Sequence, residues 1–412
     1  MTDERSTTRT PGSTGQQGPG PSEQDGANGQ HGASGRSRVT AARRRVLVTV
    51  DELAQLLDAD GAGGRPVVLD VRWTLQQPDG REEFAAGHIP GARYVALDTE
   101  LSAHTSAEPT QGRHPLPSAE QFEATVRSWG VRTGTPVVVY DDVAGQAAAR
   151  AWWLLRWAGH SEVRVLDGGW SAWRAAGLPE EPGAGGAAAN SAAAGTSGAD
   201  GASSAGDASG AGGASSAGGA FVIRPGSMPS LSADEAAELA RSEDGVLLDA
   251  RAAERFEGRT EPLDPVAGHI PGALNAPAGG NAEDGRFRSA DSLMDYYSTL
   301  GATSPRGANT SAAQATDTTP PATGTATATT TATAQSPAPA QSPAPASASS
   351  PSPMIGAYCG SGVSASHTVL ALASIGVDAA LFPGSWSAWS NDPARPAATG
   401  TADAEEVHPP RA

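Results

Sequence analysis

Three short motifs occur twice in this chain, in the same order, and that repetition limits the fold more than any other feature. Val67-Val68-Leu69-Asp70-Val71-Arg72 recurs as Val246-Leu247-Leu248-Asp249-Ala250-Arg251. Gly87-His88-Ile89-Pro90-Gly91-Ala92 recurs unchanged as Gly268-His269-Ile270-Pro271-Gly272-Ala273. Asp167-Gly168-Gly169-Trp170-Ser171-Ala172-Trp173 recurs as Pro383-Gly384-Ser385-Trp386-Ser387-Ala388-Trp389. From the strand aspartate to the turn histidine there are 18 residues in one copy and 20 in the other. Such a chain is an internal duplication, two copies of one structural unit.

Each copy alternates strand and helix signals. Runs such as Pro66–Val71 and Pro136–Tyr140 are apolar without alternation, as in parallel strands covered on both faces. Helical periods over 118–129 and 147–158 separate these runs, and a third strand is expected at Glu162–Leu166. The expected fold class is therefore α/β: two tandem domains, each a parallel sheet flanked by helices.

Composition sets the limits of the two units. The chain has 412 residues, with 51 Gly and 32 Pro concentrated outside the motifs. Residues 1–44 are expected to be a disordered tail and 45–180 the first domain. An Ala/Gly/Ser linker follows over 181–220, because such sequence has too little apolar surface to offset its ordering entropy. The second domain spans 221–392, interrupted over 303–353 by a low-complexity Thr/Ala/Pro/Ser insertion, and 393–412 forms a second tail. A formal net charge of −17 argues against a nucleic-acid surface and against attraction to anionic membranes. No apolar run approaches the roughly 18 residues of a membrane span. A single cysteine allows no internal disulfide, which fits a reducing compartment, and the expected location is the cytoplasm.

That cysteine, Cys359, follows the apolar run Met354–Tyr358 and precedes a helix-period segment, Ala365–Ile375, with Ser364 as the expected N-cap and Gly376 as the stop. A glycine-rich strand-to-helix loop can turn several N–H groups toward one point, and the helix adds its positive end. That field favours a thiolate and holds an anion beside it. The plain alternative is a small buried side chain with no chemistry. Laid on the duplication, Tyr140-Asp141 meets Tyr358-Cys359, so sulfur chemistry belongs to the second copy alone. A cysteine-phosphatase loop would need an arginine six residues after the thiol, and Ala365 stands there.

The doubled strand–Asp–x–Arg motifs, the doubled Gly-His-Ile-Pro-Gly-Ala, the Gly-Trp-Ser-Ala-Trp ends and the Cys359-Gly-Ser-Gly-Val-Ser-Ala loop resemble the two-domain rhodaneses, a sulfurtransferase family. The resemblance implies an inactive first domain and a Cys359 that becomes a persulfide, charged by thiosulfate or 3-mercaptopyruvate. It implies discharge to cyanide, a thiol or a thioredoxin-like protein, and the chemistry requires no metal ion or organic cofactor. It also places the donor against Arg255, the family-matched cation, and against the loop residues Gly360, Ser361, Gly362, Val363, Ser364 and Ala365. Ser361 stands where thiosulfate-type members often carry a cation. Mercaptopyruvate-type members tend to have a second arginine after the following Glu-Pro, where this chain reads Glu261-Pro262-Leu263-Asp264. From the first domain, Asp79 and His88 match residues that approach the loop serine in mercaptopyruvate-type members. His269 reads as a turn-fixing histidine, Asp70–Arg72 and Asp249–Arg251 as internal ion pairs, and the four motif tryptophans as packing. The remaining alternative to an enzyme is a non-catalytic persulfide carrier or regulatory binding module; Arg255 favours turnover.

Overall fold

The apolar runs fold as the strands of two parallel sheets. The computed structural model describes residues 26–59, 64–103, 108–184, 219–303 and 355–411, with side chains from Arg36 onward. Most of the expected first tail (1–25), most of the linker (185–218) and the insertion (304–354) lie outside the described residues.

The first sheet contains β1 (Leu47–Val48), β2 (Val67–Asp70), β3 (Arg93–Tyr94), β4 (Val137–Tyr140) and β5 (Val163–Leu166). Their order is β1-β5-β4-β2-β3, parallel throughout. In the second half come β6 (Val246–Asp249), β7 (Leu274–Asn275), a small β8–β9 hairpin (Ala282–Glu283 and Arg286–Phe287), β10 (Ile355–Tyr358) and β11 (Ala380–Leu381). The second sheet runs β11-β10-β6-β7, again parallel. It repeats the first strand for strand, and where β1 would lie, Ser230 bridges Leu381 in parallel. Every residue of β4, β6 and β10 is buried, as unalternated apolar strands require.

Matching details fix each copy. The helices Val50–Asp58 and Ala233–Arg241 both open on a capping box, Thr49 with Glu52 and Ser232 with Glu235. At the ends of β2 and β6, Arg72 and Arg251 fork onto Asp70 and Asp249 at 2.6 Å. The same guanidinium groups donate to the carbonyls of Gly87 and Gly268 at 2.7 and 2.6 Å, tying the strand to the Gly-His-Ile-Pro-Gly-Ala turn. His88 and His269 are both buried, stack on Phe84 and Phe256, and bond the carbonyls of those residues through Nδ1.

Trp170 and Trp173 lie in an apolar cluster inside the first domain, and Trp386 and Trp389 in one inside the second. A third cluster runs across both. Its centre is the packing of helix Ala148–Trp157 against helix Val363–Ser374.

Two expected tails are ordered where they are described. The expected 1–44 tail overlaps a helix, Gly26–Val46, which packs on helix Val363–Ser374. Its Arg43 pairs with Asp167 and donates to the carbonyls of Phe287 and Arg288. Few aliphatic residues suggested no anchor, but a long arginine stem reaching buried carbonyls supplies one. The expected 393–412 tail forms β12 (Ala397–Thr399) and β13 (Glu406–His408), an antiparallel pair. Ala398 exchanges backbone bonds of 2.9 and 2.8 Å with His269, as Glu181 does with His88 at 2.9 and 3.0 Å. Each copy thus extends past its Trp-Ser-Ala-Trp end to pair with its own turn.

Candidate active site

Cys359 lies one residue beyond β10, and the chain turns sharply after it. Gly362 adopts φ +81°, and a Cβ there would stand 2.5 Å from the Pro383 carbonyl, so the turn requires glycine. This turn starts the helix at Val363; Ser364 is inside its first turn and is not the N-cap. The Gly362 N–H donates to Cys359 Sγ at 3.1 Å. The Cys359 amide donates to Ser385 Oγ at 3.1 Å, and its carbonyl accepts from Trp386 N at 2.9 Å. Cys359 is 3% exposed, and Gly360, Ser361, Gly362, Val363 and Ala365 are buried around it, with Ser364 half-buried.

The same loop in the first domain holds Asp141 in place of the cysteine. Its carboxylate accepts the N–H groups of Val143, Gly145, Ala147 and Ala148 at 2.8–2.9 Å. Burial holds this carboxyl above its ordinary value, and the four N–H donors oppose that rise without cancelling it. The vacant loop is therefore closed on an anion of its own.

The first domain also reaches into the Cys359 loop. Gly112-Arg113-His114 follows a short 3-10 turn, Pro109–Gln111, and lies against helix Ser385–Asn391. His114 Nδ1 stands 2.8 Å from Ser361 Oγ, and its Nε2 stands 3.2 Å from Asp98 Oδ1. Trp73 Nε1 donates to the same Asp98 oxygen at 2.9 Å. The hydrogen bond with His114 holds the Asp98 carboxyl below its usual range, and as a carboxylate Asp98 can only accept from Nε2, with Nδ1 facing the Ser361 hydroxyl.

The histidine and aspartate beside Ser361 are thus His114 and Asp98, and not His88 and Asp79. His88 serves its own turn, as His269 does. Asp79 lies on the surface, paired with Arg81 at 2.8 Å. The sequence equivalence failed because His88 belongs to a duplicated motif that each domain uses internally. His114 sits in an irregular loop with no repeat partner, and its neighbours Gly112 and Pro115 were the only local signal.

Arg150, on helix Ala148–Trp157, was also missed. It is fully buried and donates to the carbonyls of Leu101, His114 and Gly362 at 3.3, 2.9 and 3.5 Å. No carboxylate pairs with it among the described residues. Burial lowers its guanidinium to about 10, and the Cys359 charge acts in the opposite direction.

Arg255, the expected donor-binding cation, does face the loop. Its Nε and Nη2 bind Glu261 at 3.2 and 2.6 Å, and Nη2 also meets Asp264 at 3.2 Å. Glu261 is shared with Arg251 at 3.3 Å. Asp264 in turn pairs with Arg113 of the first domain. Burial raises the Asp264 carboxyl, opposed first by Arg113.

Residues 49–176 match the family model described as a rhodanese-like domain. A Mycobacterium tuberculosis protein named as a thiosulfate sulfurtransferase, SseB, is 40% identical over 88% of this chain and 99% of its own. A Pseudomonas aeruginosa protein named as a 3-mercaptopyruvate sulfurtransferase is 36% identical over 86% of this chain and 98% of its own. Among solved structures, a 3-mercaptopyruvate sulfotransferase from Escherichia coli superposes with TM-score 0.54 and 26% identity, covering 82% of this chain and 98% of that one.

Proposed function

Because this chain belongs to the rhodanese family of sulfurtransferases, to which its duplicated sheets and its relatives both assign it, we propose that it moves sulfane sulfur through a persulfide on Cys359. The observation that carries this is the pair of matching loops. In the first domain four N–H groups close on the Asp141 carboxylate. In the second, the corresponding cradle contains a thiol already bonded to the Gly362 N–H. A loop shaped for an anion, given a thiol, suits a thiolate and then the terminal sulfur of a persulfide.

The Cys359 thiolate attacks the outer sulfur of the donor. The bond between that sulfur and the donor breaks, its electron pair leaves with sulfite or with the enolate of pyruvate, and a Cys359 persulfide anion remains. The acceptor, cyanide or a thiol, attacks the outer sulfur and regenerates the thiolate. The chain has one cysteine, so discharge requires an external nucleophile, and a small thiol or a thioredoxin-like protein in the reducing cytoplasm fits that need. Arg255 faces the donor's oxyanion end, and the buried charge of Arg150 lies across the loop from it.

We assign 3-mercaptopyruvate as the better donor. It brings a thiol proton that must leave the sulfur and reach the enolate carbon. The Ser361–His114–Asp98 line can take a proton at Ser361 Oγ and return it. Thiosulfate has no such proton, and the relay does nothing for it. Incubation of the full chain with 3-mercaptopyruvate should add one sulfur to Cys359, seen by mass spectrometry. Cys359→Ser should abolish both the adduct and thiocyanate formation while keeping the fold. Sulfur transfer by the serine variant would reject the mechanism.

A further inference from the structure

In the second domain two arginines and three acids form one ion-pair network, Arg251 and Arg255 against Asp249, Glu261 and Asp264, and its Arg255 end lies beside the loop. With those five groups ionised, an anionic donor would meet a net negative cluster. Arg113 corrects that balance from the other domain. Its amide donates to Ser387 Oγ at 3.0 Å. The close approach depends on Gly112, at φ +86°, where a Cβ would lie 2.6 Å from the Gly384 carbonyl.

The side chain of Arg113 then runs over the residue next to the nucleophile. A Cβ built on Gly360 would stand 2.8 Å from Arg113 Nη2 and 3.4 Å from Arg255 Nη1. Both guanidinium groups therefore converge on one space beside Cys359, which the glycine leaves open. Asp264, 2% exposed at its side chain, sits between them and binds Nη1 of Arg113 and Nη2 of Arg255. Arg113 Nη2 and Arg255 Nη1, the amino groups nearest Gly360, make no hydrogen bond to a described residue. The Arg113 side chain is 29% exposed, so an incoming molecule can reach it.

We propose that Arg113 is the second guanidinium that binds the oxyanion end of the sulfur donor, opposite Arg255. This rests on the sulfur-transfer function proposed above and adds a specificity residue supplied by the non-catalytic domain. The ligand chemistry is an oxyanion close to the transferable sulfur, the carboxylate of 3-mercaptopyruvate or the sulfonate end of thiosulfate. Each free N–H edge can donate one charge-assisted bond while the other edge stays paired with Asp264.

A test independent of sulfur transfer uses the lone cysteine. Iodoacetate and iodoacetamide alkylate Cys359 with the same leaving group and differ in a carboxylate. In the full chain, Arg113→Met should lower the iodoacetate-to-iodoacetamide rate ratio about tenfold, the loss of one charge-assisted bond. Arg113→Lys should recover most of that ratio. Asp264→Asn breaks the ion pair but keeps the free edge, and should leave the ratio level or higher. A ratio unmoved by Arg113→Met overturns the proposal, and so does an equal fall in Asp264→Asn, which would mark a structural role. Sulfur transfer from both donors with a ratio indifferent to Arg113 overturns the Arg113 assignment alone. A wild type that takes sulfur from neither donor but shows the Arg113-dependent ratio overturns the reaction and upholds the oxyanion site.

Discussion

His114 bonds Ser361 at 2.8 Å and Asp98 at 3.2 Å, and in the proposed mechanism that pair of contacts separates the two donors. A donor that must lose a proton needs the relay; one without a proton does not. His114→Gln should therefore lower kcat/KM for 3-mercaptopyruvate by roughly 100-fold, while thiosulfate turnover falls far less. Equal losses with both donors, measured side by side in steady state, would remove the relay from the mechanism. At this scale the sequence drew attention to Cys359 and Arg255 because both sit inside motifs. It did not show Arg113, His114 or Arg150. Those three reach the Cys359 loop from a loop and a helix of the opposite domain, and no spacing along a chain records a contact between residues more than 200 positions apart.

The loop holding Asp141 and the helix holding His367 make three further outcomes measurable. Asp141→Ala would leave four N–H groups, three of them buried, without their acceptor and should cost the first domain about 3 kcal/mol or more, read from urea unfolding. Asp141→Cys should gain a thiol but no added sulfur by mass spectrometry. The matching stacks of Phe84 on His88 and Phe256 on His269 put Glu83 where Arg255 stands, and a carboxylate repels an anionic donor. His367, fully buried in helix Val363–Ser374, has Nε2 at 3.0 Å from the Ala144 carbonyl and Nδ1 at 3.3 Å from Asn281. Burial lowers it from 6.5 to about 4. The unfolded chain thus takes up this proton first, so the stabilisation is complete above about pH 6.5 and is lost as pH falls toward 4. The loss reaches about 3 kcal/mol at the acid end. His367→Gln should flatten the acid side of a Tm-versus-pH profile; an unchanged slope would clear His367. The long buried strands were legible at this scale because unalternated apolar runs have few other solutions. The short β12–β13 pair was not, since three-residue strands leave no period to detect.

The cluster that joins helix Ala148–Trp157 to helix Val363–Ser374 is as buried as either domain's own core, so the halves should hold together without a continuous chain. Cutting at a protease site engineered into 185–218 should leave one particle by gel filtration and keep at least half the sulfur-transfer rate. Separation of the fragments in dilute buffer would show that the interface depends on the tether. The sequence foretold two domains of one fold because the duplication is written in it. It did not foretell that they share a core, since an apolar helix face looks the same whether it covers its own sheet or a neighbour's.

The buried Asp141 and the reach of Arg113, His114 and Arg150 into the opposite loop also bear on descent. The two copies are no longer interchangeable: one carries Asp141 where the other carries Cys359, and the Cys359 loop is met by side chains from the other half. Inherited apart, neither copy would carry both the thiol loop and the side chains that meet it.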